Sequence, residues 1–153
     1  MSAPRGIRVR VRRLPDRPHA RLPVRASPGS AGWDLAAAIS EPLELPPGAR
    51  AAIPTGLALE IPDGYEAQVR PRSGRALREG LTVVNAPGTI DSDYRGEVLV
   101  LLVNLGDSAL TIEPGDRLAQ LVLAPVLEVS WEEAADPLAA TERGVGGFGS
   151  SGR

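Results

Sequence analysis

Residues 85 to 98, N-A-P-G-T-I-D-S-D-Y-R-G-E-V, hold the densest set of chemically useful side chains in this sequence. An amide (Asn85), two carboxylates (Asp91 and Asp93), a phenol (Tyr94) and three glycine or proline breakers share one bend. Asn, Asp and Gly also build ordinary turns, so composition alone does not make the bend a site. The flanks do more: L-T-V-V runs into it and V-L-V-L-L-V runs out of it. A polar hairpin tip between two buried strands is a firm mount for side chains that face a ligand.

Four further segments offer chemistry. P-R-S-G, residues 71 to 74, sets Arg72 and Ser73 at the start of the one helix the sequence suggests. Free N–H groups and the helix dipole favour an anion there, and arginine adds forked hydrogen bonds to phosphate oxygens. A-G-W-D-L-A-A, residues 31 to 37, carries Asp34 and also reads as a plain turn entering a strand. G-D-R-L-A-Q, residues 115 to 120, leads a turn into a strand bearing Gln120; an ordinary hairpin turn with an Asp116–Arg117 pair fits it equally. The tail beyond Pro137 is glycine-rich yet holds Phe148, the only phenylalanine, with Arg143 before it and Ser150 and Ser151 after it. It reads either as a disordered end or as a lid that folds over a ligand. Taken together, arginines, hydroxyls, glycine-exposed amides and dispersed carboxylates suit a nucleotide polyphosphate with Mg²⁺, an ion that keeps much of its water and needs few protein ligands.

Other chemistry is excluded by what the chain lacks. Without cysteine there is no disulfide framework and no thiolate metal site. The single His19 rules out histidine-based zinc sites and, among prolines in D-R-P-H-A, argues against a Ser-His-Asp triad. Lysine is absent, which removes a P-loop lysine and Schiff-base chemistry. The net charge of −2 gives no general attraction to nucleic acid. No apolar run is long enough to cross a bilayer and no secretory signal stands at the start, so the expected setting is cytoplasmic, with no membrane partner.

The elements that must position these residues are short. Strand-like runs fall at 7–13, 43–45, 50–53, 56–61, 65–70, 81–84, 97–103, 109–112, 118–124 and 126–131, separated by breakers such as P-P-G, I-P-D-G and E-P-G-D. Such spacing predicts a barrel or sandwich. In I-R-V-R-V-R the alternation predicts a half-buried strand with its arginines in water rather than a basic arm. S-G-R-A-L-R-E-G, residues 73 to 80, predicts a helix of about two turns, with Ser73 as N-cap and Gly80 as its stop. At 153 residues the chain suits one domain, with Leu, Val, Ile and Ala building a core almost free of aromatics.

The five segments, in this order, resemble the five motifs of the trimeric dUTP pyrophosphatases (dUTPases), at residues 31–37, 71–80, 85–98, 115–120 and 143–152. Arg75 departs from the leucine frequent in that family, and Ser151 from threonine. The resemblance implies an all-β jelly roll or distorted β-barrel with one short helix, a homotrimer, and a core over 1–136 followed by an active-site arm over 137–153. It implies hydrolysis of dUTP to dUMP and pyrophosphate with Mg²⁺, which limits uracil in DNA and supplies dUMP. Asp91 would be the general base, and Asp34 would hold Mg²⁺ through water. Arg72, Ser73, Gly74 and Gln120 would face the phosphates, joined by Arg143, Gly149 and Ser150 of the arm. Asn85, Gly88, Thr89 and Ile90 would read the uracil, Tyr94 would lie under the deoxyribose, and Phe148 would stack over the base. Each site would be shared among subunits, the arm coming from a different chain than the hairpin. A dCTP deaminase of the same fold would need a glutamate-centred site in place of D-S-D-Y. A non-catalytic nucleotide-binding relative would have lost Asp34, Asp91, Tyr94 or Arg143, and all four are present.

Overall fold

The computed structural model describes residues 6–149. In chain order its elements are β1 (Arg10–Arg13), β2 (Trp33–Ala36), β3 (Leu43–Leu45), β4 (Arg50–Glu60), β5 (Tyr65–Pro71), α1 (Ser73–Glu79), β6 (Leu81–Val83), β7 (Gly88–Ile90), β8 (Glu97–Asn104), β9 (Leu110–Ile112) and β10 (Arg117–Pro125). Two four-stranded sheets, ordered β1-β4-β8-β6 and β2-β10-β5-β7, are joined by the small pair β3-β9. Every pairing is antiparallel. The fold is all-β with one short helix, of the jelly-roll kind that the family resemblance implies.

Period-two alternation explains most of it. In β8 the residues Val98, Val100, Leu102 and Asn104 are buried while Leu99 between them is exposed. In β4 the buried set is Ile53, Thr55, Leu57 and Leu59. These meet Leu35, Ala67, Val69, Ala119 and Leu121 of the second sheet in one apolar core. Successive side chains point to opposite faces, so each strand supplies the core with every second residue and keeps the others for solvent or partners.

Two runs that the sequence separates, 50–53 and 56–61, form the single strand β4. The breaker P-T-G becomes a bulge, with a register shift between Pro54 and Ala58. Thr55 Oγ donates to the Val98 carbonyl (2.6 Å), and the Gly56 amide donates to Glu97 Oε1 (2.8 Å). Gly56 adopts φ +69°, and a β-carbon there would lie 2.5 Å from that of Ala20, so only glycine fits.

Three other expectations give way. The N-terminal strand is shorter than 7–13, and all four residues of β1 are exposed, because β1 is a sheet edge with nothing beyond it in this chain. No strand forms over 126–131: the last backbone tie to the body is Val126 N–H to the Gly64 carbonyl (2.9 Å), and Leu127, Val129 and Trp131 stand exposed. The helix begins as expected, but Arg72 holds the N-cap position and Ser73 already lies inside, with no side-chain cap. Gly80 ends it as expected, at φ 69°.

The segment that matters most crosses between sheets. Strands β6 and β8 pair as a hairpin, Leu81 with Asn104 and Val83 with Leu102. The chain between them leaves that sheet, and its short strand β7 pairs with β5 of the other: Gly88 with Val69, Thr89 with Gln68, Ile90 with Ala67. The polar bend is thus a strap between two sheets rather than a simple tip.

Asn104 anchors the far end of β8. Its buried Nδ2 donates to the carbonyls of Leu45 (2.9 Å) and Ser108 (2.8 Å), and its Oδ1 accepts from Gly106 N–H (2.9 Å). Asn104→Ala strands these groups, and chemical denaturation should show a loss of roughly 3 kcal/mol.

Candidate active site

The strap closes a cleft of about 260 Å³ lined by Asn85, Gly88, Thr89, Ile90, Asp91 and Tyr94, with Val69, Leu99 and Leu101 forming an apolar wall. Its order comes from β7. Gly88 and Ile90 turn inward and are buried, which leaves Thr89 outward and delivers Asp91 at the strand's end. Glycine at 88 leaves room for the Asn85 amide: a β-carbon would lie 2.9 Å from Asn85 Nδ2 and make it shift. Tyr94 folds back over Gly96 and its hydroxyl donates to the Glu97 carbonyl (3.0 Å). A β-carbon on Gly96 would lie 2.3 Å from the phenol oxygen, so the ring's seat requires that glycine. Asp91 is exposed, and its carboxylate makes no ion pair or side-chain hydrogen bond among the described residues. It is free to engage water and whatever fills the cleft.

A second cleft of about 310 Å³ lies beside α1, lined by Ala26, Asp34, Arg72, Ser73, Gly74, Arg75, Arg78 and Gln120. Asp34, on β2, is held between two guanidinium groups: Arg72 Nε on Oδ1 and Arg117 Nη1 on Oδ2, each at 3.2 Å. Arg75 pairs with Glu79 (2.8 Å) and with Asp116 (3.6 Å), tying α1 to the turn before β10. Asp116 therefore pairs with Arg75 and caps its own turn through Glu113 N–H (3.1 Å), and the Asp116–Arg117 pair does not form. Gln120 donates to the Pro71 carbonyl (3.1 Å) and packs on Gly32, where a β-carbon would strike its amide oxygen at 2.1 Å. One side chain thus joins the turn before α1 to the glycine before β2.

These clefts sit at opposite edges of one sheet. Asp34 is on β2 and Asp91 directly follows β7, with β10 and β5 between them. Three inter-strand steps and an offset of about four residues along the strands put them roughly 20 Å apart within a chain. Among the described residues, the tail reaches neither cleft. Residues 125–145 are exposed throughout, Arg143 donates to Gly146 within the tail (2.8 Å), and Phe148 is fully exposed. Gly149 has φ 90° and an open surround. Ser150 and Ser151 lie outside the described residues. The structure brings Asn85, Gly88, Thr89, Ile90, Asp91 and Tyr94 together, and separately Asp34, Arg72, Ser73, Gly74 and Gln120.

Arg117, Arg75, Gly32 and Gly96 were not anticipated as site residues. Arg117 was readable only as a neighbour of Asp116, because its true partner is 83 positions away. The two glycines carry no chemistry of their own, and only the third dimension shows what they make room for.

With this geometry in place, comparison with known proteins is direct. The dUTPase family model matches residues 18–152. A deoxyuridine 5'-triphosphate nucleotidohydrolase of Chlamydia pneumoniae is 59% identical over 131 residues, covering 86% of this chain and 90% of that protein. One from Caulobacter vibrioides is 54% identical over 155 residues, covering 99% of each. Among solved structures, a mutant of Staphylococcus bacteriophage 80alpha dUTPase with dUpNHpp has a TM-score of 0.84 at 28% identity, covering 97% of this chain and 100% of that one. A mutant dUTPase from phage phi11 of S. aureus, whose structure concerns the coordination of a structural Mg(II) ion, has a TM-score of 0.74 at 26% identity, covering 85% of this chain and 98% of that one. An all-β fold with a strapped polar cleft and an arginine-lined one defines a class of phosphate-handling jelly rolls. The chain belongs to the dUTPase family.

Gly96→Ala tests how Tyr94 is seated. The ring is the part that can move, so the fold should survive at a cost of about 1–2 kcal/mol. With two tyrosines in the chain, NMR of tyrosine-labelled protein should show the Tyr94 ring signals displaced and those of Tyr65 unchanged.

Proposed function

We propose that this chain hydrolyses dUTP to dUMP and pyrophosphate, with Asp91 as the general base. The observation that carries the reading is the free carboxylate of Asp91 at the mouth of a cleft whose other polar groups suit a pyrimidine nucleoside. Asn85, with the backbone around Gly88, Thr89 and Ile90, pairs with the uracil edge. Thymine's methyl and cytosine's exchanged donors both fit such a surface badly. Tyr94, seated on Gly96, lies under the sugar, where a 2′-hydroxyl would collide with the ring. Water held by Asp91 attacks the α-phosphorus; the bond from that phosphorus to the α–β bridging oxygen breaks, Asp91 takes the water's proton, and pyrophosphate leaves.

Arg72, Ser73, Gly74 and Gln120 receive the phosphates in the second cleft. Triphosphate oxygens repel a nucleophile, and positioned guanidinium groups offset that charge as it shifts in the transition state. Among the described residues no group of three or more His, Cys, Asp or Glu could hold a bare metal ion. A Mg²⁺ ion that keeps its water and takes oxygens from the nucleotide fits a single carboxylate, and Asp34 would hold it through water. Bound there, the ion supplies further neutralisation of phosphate charge.

Asp91 of the base-reading strap and Asp34 of the phosphate-binding cleft sit roughly 20 Å apart in one chain, whereas water attack at the α-phosphorus needs both sets close together. A homotrimer whose sites lie between copies meets that need, each arm (137–153) closing a site on another copy. Two surfaces suit association: the alternating Leu127, Val129 and Trp131 of the segment before the arm, and Leu99 on the outer face of β8. Light scattering should give three times the chain mass; a fully active monomer would refute the shared site. Among the described residues no helix is long and apolar enough to cross a membrane. The reaction, on a free nucleotide, involves no nucleic acid partner, and we assign it to the cytoplasm.

Pyrophosphate release from dUTP, measured beside dCTP, dTTP and UTP, should strongly favour dUTP. Asp91→Asn should cut turnover by at least about a hundredfold while binding of dUTP stays nearly unchanged, since an amide keeps the size but cannot accept the proton. Turnover above a tenth of wild type would sink the assignment.

Truncation after Thr141 removes Arg143, Phe148, Gly149 and Ser150. Because 125–145 buries nothing on its own chain, the melting temperature should move by less than about 2 °C. Turnover should fall at least about tenfold, because a closing lid loses its cation and its aromatic cover. Unchanged kinetics would reduce the arm to an inert end.

A further inference from the structure

The second cleft contains an arginine that no role above uses. Arg78 lies one turn along α1 from Gly74, and its guanidinium folds back over that glycine: a β-carbon at 74 would lie 3.1 Å from Nη1 and 3.5 Å from Nη2. Any side chain at 74 would push the group away from the cleft that Arg78 helps to line. Every carboxylate nearby is already engaged by another cation. Asp34 holds Arg72 and Arg117, while Glu79 and Asp116 hold Arg75. Arg78 makes no ion pair with any described residue, and its five N–H donors face the cleft and solvent.

The engagement of Arg75 is what leaves Arg78 in this condition. Arg75 takes the carboxylate of Glu79, four residues on and on the same helix face, at 2.8 Å and reaches Asp116 at 3.6 Å. An uncharged residue at 75 would leave both carboxylates without this cation, to repel an anion in the cleft. Arg75 therefore acts indirectly. It pairs with two carboxylates beside the cleft, whose own lining of Arg72, Arg75 and Arg78 against Asp34 presents a net positive face.

We propose that Arg78 is a further phosphate-contacting residue of this cleft, and that Arg75 is the positioning residue that keeps it available. The proposal rests on the reading of the site as a polyphosphate site and extends it to two residues. A guanidinium with no internal partner gives up only hydration when it meets a phosphate, and it can offer forked, charge-assisted hydrogen bonds.

Calorimetric binding of three probes to the full-length protein tests this: inorganic triphosphate, the non-hydrolysable dUpNHpp, and deoxyuridine. Arg78→Gln keeps the helix and removes the charge. It should weaken the two phosphate-bearing probes by about tenfold, more at low salt than at high, and leave deoxyuridine unchanged. Arg78→Lys should recover part of the loss. Arg75→Leu should weaken the same two probes, and Arg75→Leu combined with Glu79→Gln and Asp116→Asn should restore them. Equal triphosphate affinity in wild type and Arg78→Gln would overturn the role of Arg78, and no recovery in the triple variant would overturn that of Arg75. If wild type binds triphosphate and loses it in Arg78→Gln yet does not hydrolyse dUTP, the functional reading fails and this inference stands. If wild type hydrolyses dUTP and Arg78→Gln binds all probes normally, the reverse holds. A wild type that neither binds triphosphate nor turns over dUTP would overturn both.

Discussion

Three residue pairs across one antiparallel ladder, Gly88 with Val69, Thr89 with Gln68 and Ile90 with Ala67, carry most of what this chain can do. Without them residues 84–96 would be a long loop between β6 and β8, and loops of that length seldom hold side chains in one place. Pairing to β5 converts the loop into a strap between sheets. It buries Gly88 and Ile90 as pegs, and the alternation of the strand then dictates that Asp91 emerges at the rim. The same β5 pairs on its other edge with β10, which bears Gln120. A single strand therefore sets the positions of both clefts.

The electrostatics of the second cleft follow from a similar economy. Arg72 touches Asp34 through Nε and the Arg117 carbonyl through Nη1 (3.4 Å). Arg117 reaches the same aspartate from β10. The carboxylate of Asp34 thus stands where anionic charge is welcome, between guanidinium groups held in place from two elements. The first cleft has a different character, an apolar wall of Val69, Leu99 and Leu101 beside a few polar groups.

Much of this was legible from residue order, for identifiable reasons. Strands such as 43–45, 65–70 and 97–103 were plain because alternation is a local signal, and the helix stop at Gly80 because glycine alone tolerates the left-handed turn there. Asp91 and Tyr94 were marked by their crowded bend. What escaped notice was decided by distant partners. Pro54-Thr55-Gly56 looked like a break and is a bulge, because Glu97 and Val98 of another strand satisfy it. Residues 126–131 had the pattern of a strand and no partner to pair with. Ser73 had a capping side chain, but Arg72 stands at the cap because the chain reaches α1 straight from β5. The ion pairs of Asp34 join residues 38 and 83 positions apart, beyond any local rule.

After Val126, the described residues of the tail make no backbone hydrogen bond to the body of the chain. If the tail closes a site on an associated copy, it does so as a tethered ligand. Its effective concentration at that site is then on the order of millimolar, set by tether length and unaffected by dilution while the copies stay together. Lengthening such a tether changes that concentration only as a weak power of its length. The distance between Val126 and the closing residues is therefore a tolerant parameter. The sequence of that stretch is free to drift, provided its apolar side chains keep a surface to cover them.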